Sequence, residues 1–249
     1  MTGTMADAMA GAAASPASVN RSIILASGSP RRIEMMQAHG YDPLVIPAQI
    51  EENVPLHHSM TDTVTYLALK KARDVEARWL AEKRPERIAE VAEDAVPDAV
   101  APDVAAPDVS DFSGANGQAV PDRPPVIIAA DTVVCYQGEI MGKPADKEDG
   151  FRMLSALRGD VHDVVTGVAL VEAGAQHARV FYEITRVFFK DYSDEELLAY
   201  LDTDEAYDKA GGYAIQGWFS RYVDHIEGDY DNVVGFPWKR IEKELAHFI

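Results

Sequence analysis

The run VIIAADTVVCY, Val126 to Tyr136, does most to limit what this chain can become. Apolar residues occupy both alternating positions, which suits a strand covered on two faces rather than one wetted on a side. Such a strand needs helices above and below it, and helical patterns surround it. SIILAS, Ser22 to Ser27, predicts a second short apolar strand. PRRIEMMQAHG then predicts a helix with Ser29 as N-cap, Pro30 at the first helical position and Gly40 just past the end. YDPLVIP is extended, and a long helix is expected from Thr61 to about Lys83. A Gln137-Gly138 turn leads through EIMGKP to a helix from about Asp146 to Arg158, closed by Gly159. VHDVVTGVALV and ARVFYEITRVFFK read as strands, and Ser193 and Glu196 in SDEELLAYL have capping-box spacing. PWKRIEKELAHF puts Ile241, Leu245 and Phe248 on one helical face. The fold class is α/β with a mixed sheet.

Two stretches fall outside this pattern. Residues 1–21 are rich in Ala and Ser and read as a disordered leader, with a signal peptide as the alternative. Residues 84–123 hold EDAVPDAVAPDVAAPDVSD, which has no helical or strand period, and no Lys or Arg lies between Ile88 and Asp122. This reads as a flexible acidic insertion within a domain spanning 22–249, because it offers too little apolar surface to offset its ordering entropy. It supplies much of the formal net charge of −18, which comes from 41 acidic against 23 basic residues. That balance argues against a nucleic-acid binder, so an anionic ligand would have to be met by a local basic pocket. The one cysteine, Cys135, excludes an intramolecular disulfide and fits a reducing, cytoplasmic setting. No apolar run reaches the roughly 20 residues that would span a bilayer.

LASGSPRR sets Arg31 and Arg32 in the first turn of a helix, where positive charge is unfavourable unless an anion offsets it. Ser27, Gly28 and Ser29 offer hydroxyls and close backbone approach beside unpaired amides, a setting that suits phosphate. Two surface arginines behind a serine cap would look the same. Lys71 falls on the apolar stripe Val64, Leu67, Val75, Trp79, so it must snorkel out or meet a carboxylate or phosphate. Asp131 and Thr132 interrupt the apolar strand. A buried carboxylate needs a partner, either at a functional site or in a structural ion pair. Lys143 in MGKP and Lys209 in DKAGGYAIQG lie in loops.

Taken in order, LASGSPRR, AADTVV, GKP, TGVAL, DKAGGYAIQG and NVVGFP resemble the Maf family of nucleoside triphosphate pyrophosphatases, from about Ile23 to the C-terminus without the insertion. The resemblance implies an elongated α/β fold with a cleft between two lobes, commonly dimeric. It also implies hydrolysis of a nucleotide between its α- and β-phosphates with a divalent metal, Mg²⁺ or Mn²⁺. Arg31, Thr132 and Gln216 resemble the dTTP and UTP branch rather than the 7-methyl-GTP branch. In this reading Asp131 orients and deprotonates water or holds the metal, and Glu51 is the second carboxylate, with Glu52 as its substitute. Arg31, Arg32, Lys71, Lys143 and Lys209 surround the phosphates with Ser27 and Ser29, while Thr132 and Gln216 read the base. A non-catalytic nucleotide-binding regulator of cell division is the alternative from another class. GWFS after IQG is bulkier than the family's usual glycine-rich version, which brings Trp218 towards the base.

Overall fold

A computed structural model describes residues 21–54, 58–83 and 123–249. The leader and the acidic insertion, each except its last residue (Arg21 and Arg123), lie outside the described residues. In chain order the elements are β1 (Ile23–Leu25), α1 (Pro30–Ala38), β2 (Leu44–Val45), α2 (Met60–Lys83), β3 (Val126–Tyr136) and β4 (Glu139–Met141). There follow α3 (Lys147–Leu157), β5 (Val161–Glu172), β6 (Ala178–Phe189), α4 (Asp194–Leu201), two 3₁₀ turns at Ala210–Gly212 and Trp218–Tyr222, β7 (Val223–Glu227), α5 (Tyr230–Val234) and α6 (Trp238–Leu245).

Among the described residues the strands form one mixed sheet in the order β2-β1-β3-β5-β6-β7, with β4 hairpinned onto β3. β1 runs parallel to β2 and β3, and every other pairing is antiparallel. The expected turn at Gln137-Gly138 joins β3 to β4 in two residues, both with positive φ, 51° and 86°. This matches the twist that a tight hairpin requires.

Strand alternation divides the core. Ile23, Leu25, Val126, Ile128, Ala130, Val168 and Leu170 face α1 and α6, against Met36, Trp238, Ile241 and Leu245. Ile24, Ile127, Ala129, Ala169 and Val171 face α2, against Ala68, Ala72 and Val75. A third cluster packs α3, α4 and the 3₁₀ turns around Leu154, Leu157, Tyr200 and Phe219, on Val134, Val164 and Val187 of the sheet. Burial on both faces accounts for the unbroken apolar run of β3.

β1 is much shorter than β3, and this difference positions the site. β1 covers β3 only from Val126 to Ile128, and β4 covers it from Val134 to Tyr136. Between these limits one edge of β3 is left open just beyond the carboxyl end of β1, where open α/β sheets place ligands. Period two then sends Asp131 to the α2 face, in line with Ile127 and Ala129, and Thr132 to the α1 face.

Candidate active site

The open stretch of β3 forms the floor of a cavity of about 640 Å³. Its walls come from the β1–α1 turn (Gly28 to Arg32), Glu52, Lys71 of α2, Lys143, the loop from Asp208 to Ile215, and Val233 to Gly235. Part of the lining is charged, with Arg31, Arg32, Lys71, Lys143 and Lys209 beside Asp131, Glu52 and Asp208. Part is apolar, with Val134, Val164, Tyr213, Ala214, Ile215 and Val233. A second cavity of about 740 Å³ lies at the free edge of β6, lined by Thr61, Asp62, Thr65, Val180 to Ile184 and Arg240. It gathers no cluster of cations, so the smaller cavity is the one fitted to an anion.

Asp131 is 7 % exposed and its Oδ1 accepts a hydrogen bond from Lys71 Nζ at 2.6 Å. The same ammonium lies 2.7 Å from Glu52 Oε1. Lys71 therefore meets two carboxylates, the outcome its place on an apolar stripe left open. The two acids respond in opposite directions. Burial raises the Asp131 carboxyl above the usual carboxylate range despite Lys71, whereas the hydrogen bond from Lys71 lowers that of Glu52. Their side-chain exposures, 9 % and 59 %, explain the difference, because desolvation dominates only for the covered group.

Arg32 turns inward. Its Nη1 donates to Ala130 O at 2.8 Å and to Ser27 Oγ at 3.2 Å, Nε donates to Gly235 O at 2.9 Å, and Nη2 to Thr132 Oγ1 at 3.2 Å. Burial lowers its pKa to about 10, opposed by the Asp131 charge. The guanidinium thus closes the open edge of β3 and ties it to the end of α5. Gly235 allows this approach: its φ is 102°, and a Cβ there would lie 3.1 Å from Thr132 Oγ1. Arg31, Lys143 and Ser29 face the cavity. Among the described residues Arg31 and Lys143 have no hydrogen-bond or ion-pair partner. Lys209 lines it too, with Nζ donating to Glu205 O at 2.9 Å and paired with Asp208.

Several placements differ from the sequence expectations. Glu51 does not join the cavity: its Oε2 accepts from Asn53 at 2.9 Å in an exposed segment, and Glu52 is the acid that faces Lys71. Adjacent residues in extended chain point opposite ways, and nothing in QIEEN reveals which way each points. Gln216 is exposed and absent from the cavity lining: in the turn closed by Gly217 N and Ala214 O, Ile215 is the central residue that packs into the cavity wall and Gln216 the one that faces solvent. Thr132 lines the cavity, but its hydroxyl is engaged by Arg32 and by Thr166 Oγ1 at 3.0 Å. Ser29 caps α1 without a side-chain bond; its amide donates instead to Ser27 Oγ at 3.2 Å. Trp218, partly buried, stacks on Tyr200 and does not line the cavity. Asp208 and Tyr213 of DKAGGYAIQG and Val233 of NVVGFP also line the cavity, and within those motifs no period or charge pattern singles them out.

Asp131 and Glu52 supply two hard oxygen donors that meet at Lys71 Nζ, and among the described residues no group of three or more acidic, His or Cys side chains gathers to hold a metal ion, at this site or another. Two protein carboxylates, with phosphate and water completing the shell, suit Mg²⁺ or Mn²⁺. The residues present fit such an ion.

Fold and cavity together define an α/β protein with a cation-lined, half-apolar pocket at a strand end. The chain belongs to the Maf family: residues 22–248 match the family described as Maf-like protein. It is 36 % identical over 228 residues to a dTTP/UTP pyrophosphatase of Bacillus anthracis, covering 92 % of this chain and 96 % of that one. It is 35 % identical over 219 residues to a dTTP/UTP pyrophosphatase of Caldicellulosiruptor bescii, covering 88 % and 90 %. No helix among the described residues is long and apolar enough to cross a membrane.

Proposed function

We propose that this protein hydrolyses dTTP and UTP to the monophosphate and pyrophosphate in the cytoplasm. The observation that carries the reading is the buried Asp131, held by Lys71 in a cavity whose lining is part cationic and part apolar. A nucleoside triphosphate combines the same two chemistries, a polyphosphate and a base. The relatives' activity supports the reading.

The protein's task in such a reaction is positioning and charge neutralisation rather than covalent chemistry. Arg31, Lys143 and Lys209 hold phosphate oxygens. Asp131 orients the attacking water towards the α-phosphorus and takes its proton. Glu52 and Asp131 would hold a divalent ion, which would lower the pKa of water and offset charge on the phosphates. Val134, Val164 and Tyr213 exclude water around the base. With Gln216 facing solvent, pyrimidine selection falls to the apolar side chains of the lining and to backbone groups of Ala214 and Ile215.

The test is pyrophosphate release from each common and methylated nucleoside triphosphate, with and without Mg²⁺. Turnover should be greatest with dTTP and UTP, and Asp131→Asn should lose at least about 10³-fold in kcat while keeping its thermal transition. Full turnover by Asp131→Asn would refute the role given to that residue. Binding of nucleotide without any pyrophosphate release would leave a non-catalytic regulator instead.

A further inference from the structure

Lys71 was expected beside phosphate, and the structure holds it between two acids. Its Nζ lies 2.6 Å from Asp131 Oδ1 and 2.7 Å from Glu52 Oε1. The acids come from different elements, β3 and the segment after Ile50, and converge on one point. Asp131 is shielded from water there, so the pair needs a cation between its members. A hard divalent ion takes the same oxygen donors. An ammonium and a metal ion cannot both fill that point.

We infer that Lys71 competes with the divalent cation for the position between Asp131 and Glu52, and that entry of a metal nucleotide transfers the ammonium from the carboxylates to phosphate. The destination of the ammonium rests on the function proposed above; the competition does not. Charge balance gives the reason for coupling the two events. A divalent ion alone would leave three positive charges against two negative ones, and the polyphosphate supplies the negative charge that Lys71 then needs. Metal and nucleotide therefore each raise the other's affinity, by the same factor. Lys71 acts as a gate against metal binding without substrate.

The experiment is Mn²⁺ binding by the full chain without nucleotide, followed by the paramagnetic resonance of free Mn²⁺. Lys71→Met keeps the packed stem and removes the charge, and it should bind Mn²⁺ at least tenfold more tightly than wild type. Lys71→Arg keeps a cation and should bind as weakly as wild type. Equal or weaker binding by Lys71→Met, or none at all, overturns the inference. A second measurement needs no variant: saturating Mn²⁺ should raise acetylation of Lys71 by limiting acetic anhydride severalfold, read by mass spectrometry, and an unchanged yield overturns it. Absence of pyrophosphate release would defeat the functional reading and leave both outcomes intact. An active enzyme with unchanged Mn²⁺ binding in Lys71→Met would defeat the inference alone.

Discussion

Two neighbouring arginines, identical in the sequence, have different work. Arg32 satisfies Ala130 O on the open edge of β3 and Gly235 O at the end of α5, which would otherwise be left unpaired. Arg32→Ala should therefore cost about 3 kcal/mol of stability in urea unfolding, since each stranded acceptor costs roughly 1–3 kcal/mol. Arg31→Ala should leave stability within about 0.5 kcal/mol of wild type and raise KM for the nucleotide roughly 10- to 100-fold, the weight of one charged hydrogen bond. Equal losses of stability in both variants would contradict this division. His162 gives a second residue-scale effect. It is 2 % exposed, its Nε2 lies 2.6 Å from Tyr213 Oη, and its Nδ1 has no partner. Burial lowers its pKa from 6.5 to about 4, so below pH 6.5 the unfolded chain binds the proton more readily than the folded one. Stability held above pH 6.5 is lost as pH falls towards 4, by about 3 kcal/mol in all. His162→Gln should flatten that limb between pH 6.5 and 4 in urea titrations, and an unchanged slope there would refute the assignment.

At the scale of elements, one glycine seats the helix that carries Lys71. Gly167 of β5 pairs across the sheet with Asp131, and a Cβ on it would come within 2.4 Å of the Val64 backbone in α2. Gly167→Ala must lift α2 from the sheet and lengthen the reach from Lys71 to Asp131. We expect a loss of about 3 kcal/mol together with reduced kcat. Ser193→Ala is the control: it removes the observed capping box of α4, should cost about 1 kcal/mol, and should leave kcat unchanged. If both variants lost stability with no change in kcat, α2 would not be setting the site. Gly167 also marks a limit of what the sequence discloses. β3, α1, α2, the Gln137-Gly138 turn and the α4 capping box are all legible, because each is written in local periodicity or in turn and cap residues. Asp131 as a buried partner-seeking acid was legible as well. The close crossing at Gly167 was not, since it depends on a helix about a hundred residues away. Nor was the choice between Glu51 and Glu52 or the outward turn of Gln216, which depend on side-chain direction in irregular chain rather than on period.

Across the whole molecule two fields oppose each other. The chain carries a formal charge of −18, while the cavity wall brings together Arg31, Lys143 and Lys209 with Lys71 and Arg32 behind them. Which field a nucleotide meets depends on distance, and salt sets that distance. At 0.01 M ionic strength the Debye length is about 30 Å, so an approaching polyanion is repelled by most of the molecule. At 0.15 M it is about 8 Å, and the cavity wall dominates what the nucleotide experiences. Near 1 M, at about 3 Å, attraction within the cavity is itself screened. With free Mg²⁺ held constant, kcat/KM should therefore rise from 0.01 to about 0.15 M and then fall towards 1 M. Arg31→Ala should keep the rising limb, which belongs to the whole molecule, and make the falling limb shallower, because part of the local attraction is gone. A steady fall from the lowest salt in wild type would mean that the cavity's field reaches beyond the acidic surface, and that the global charge has no bearing on capture of the substrate.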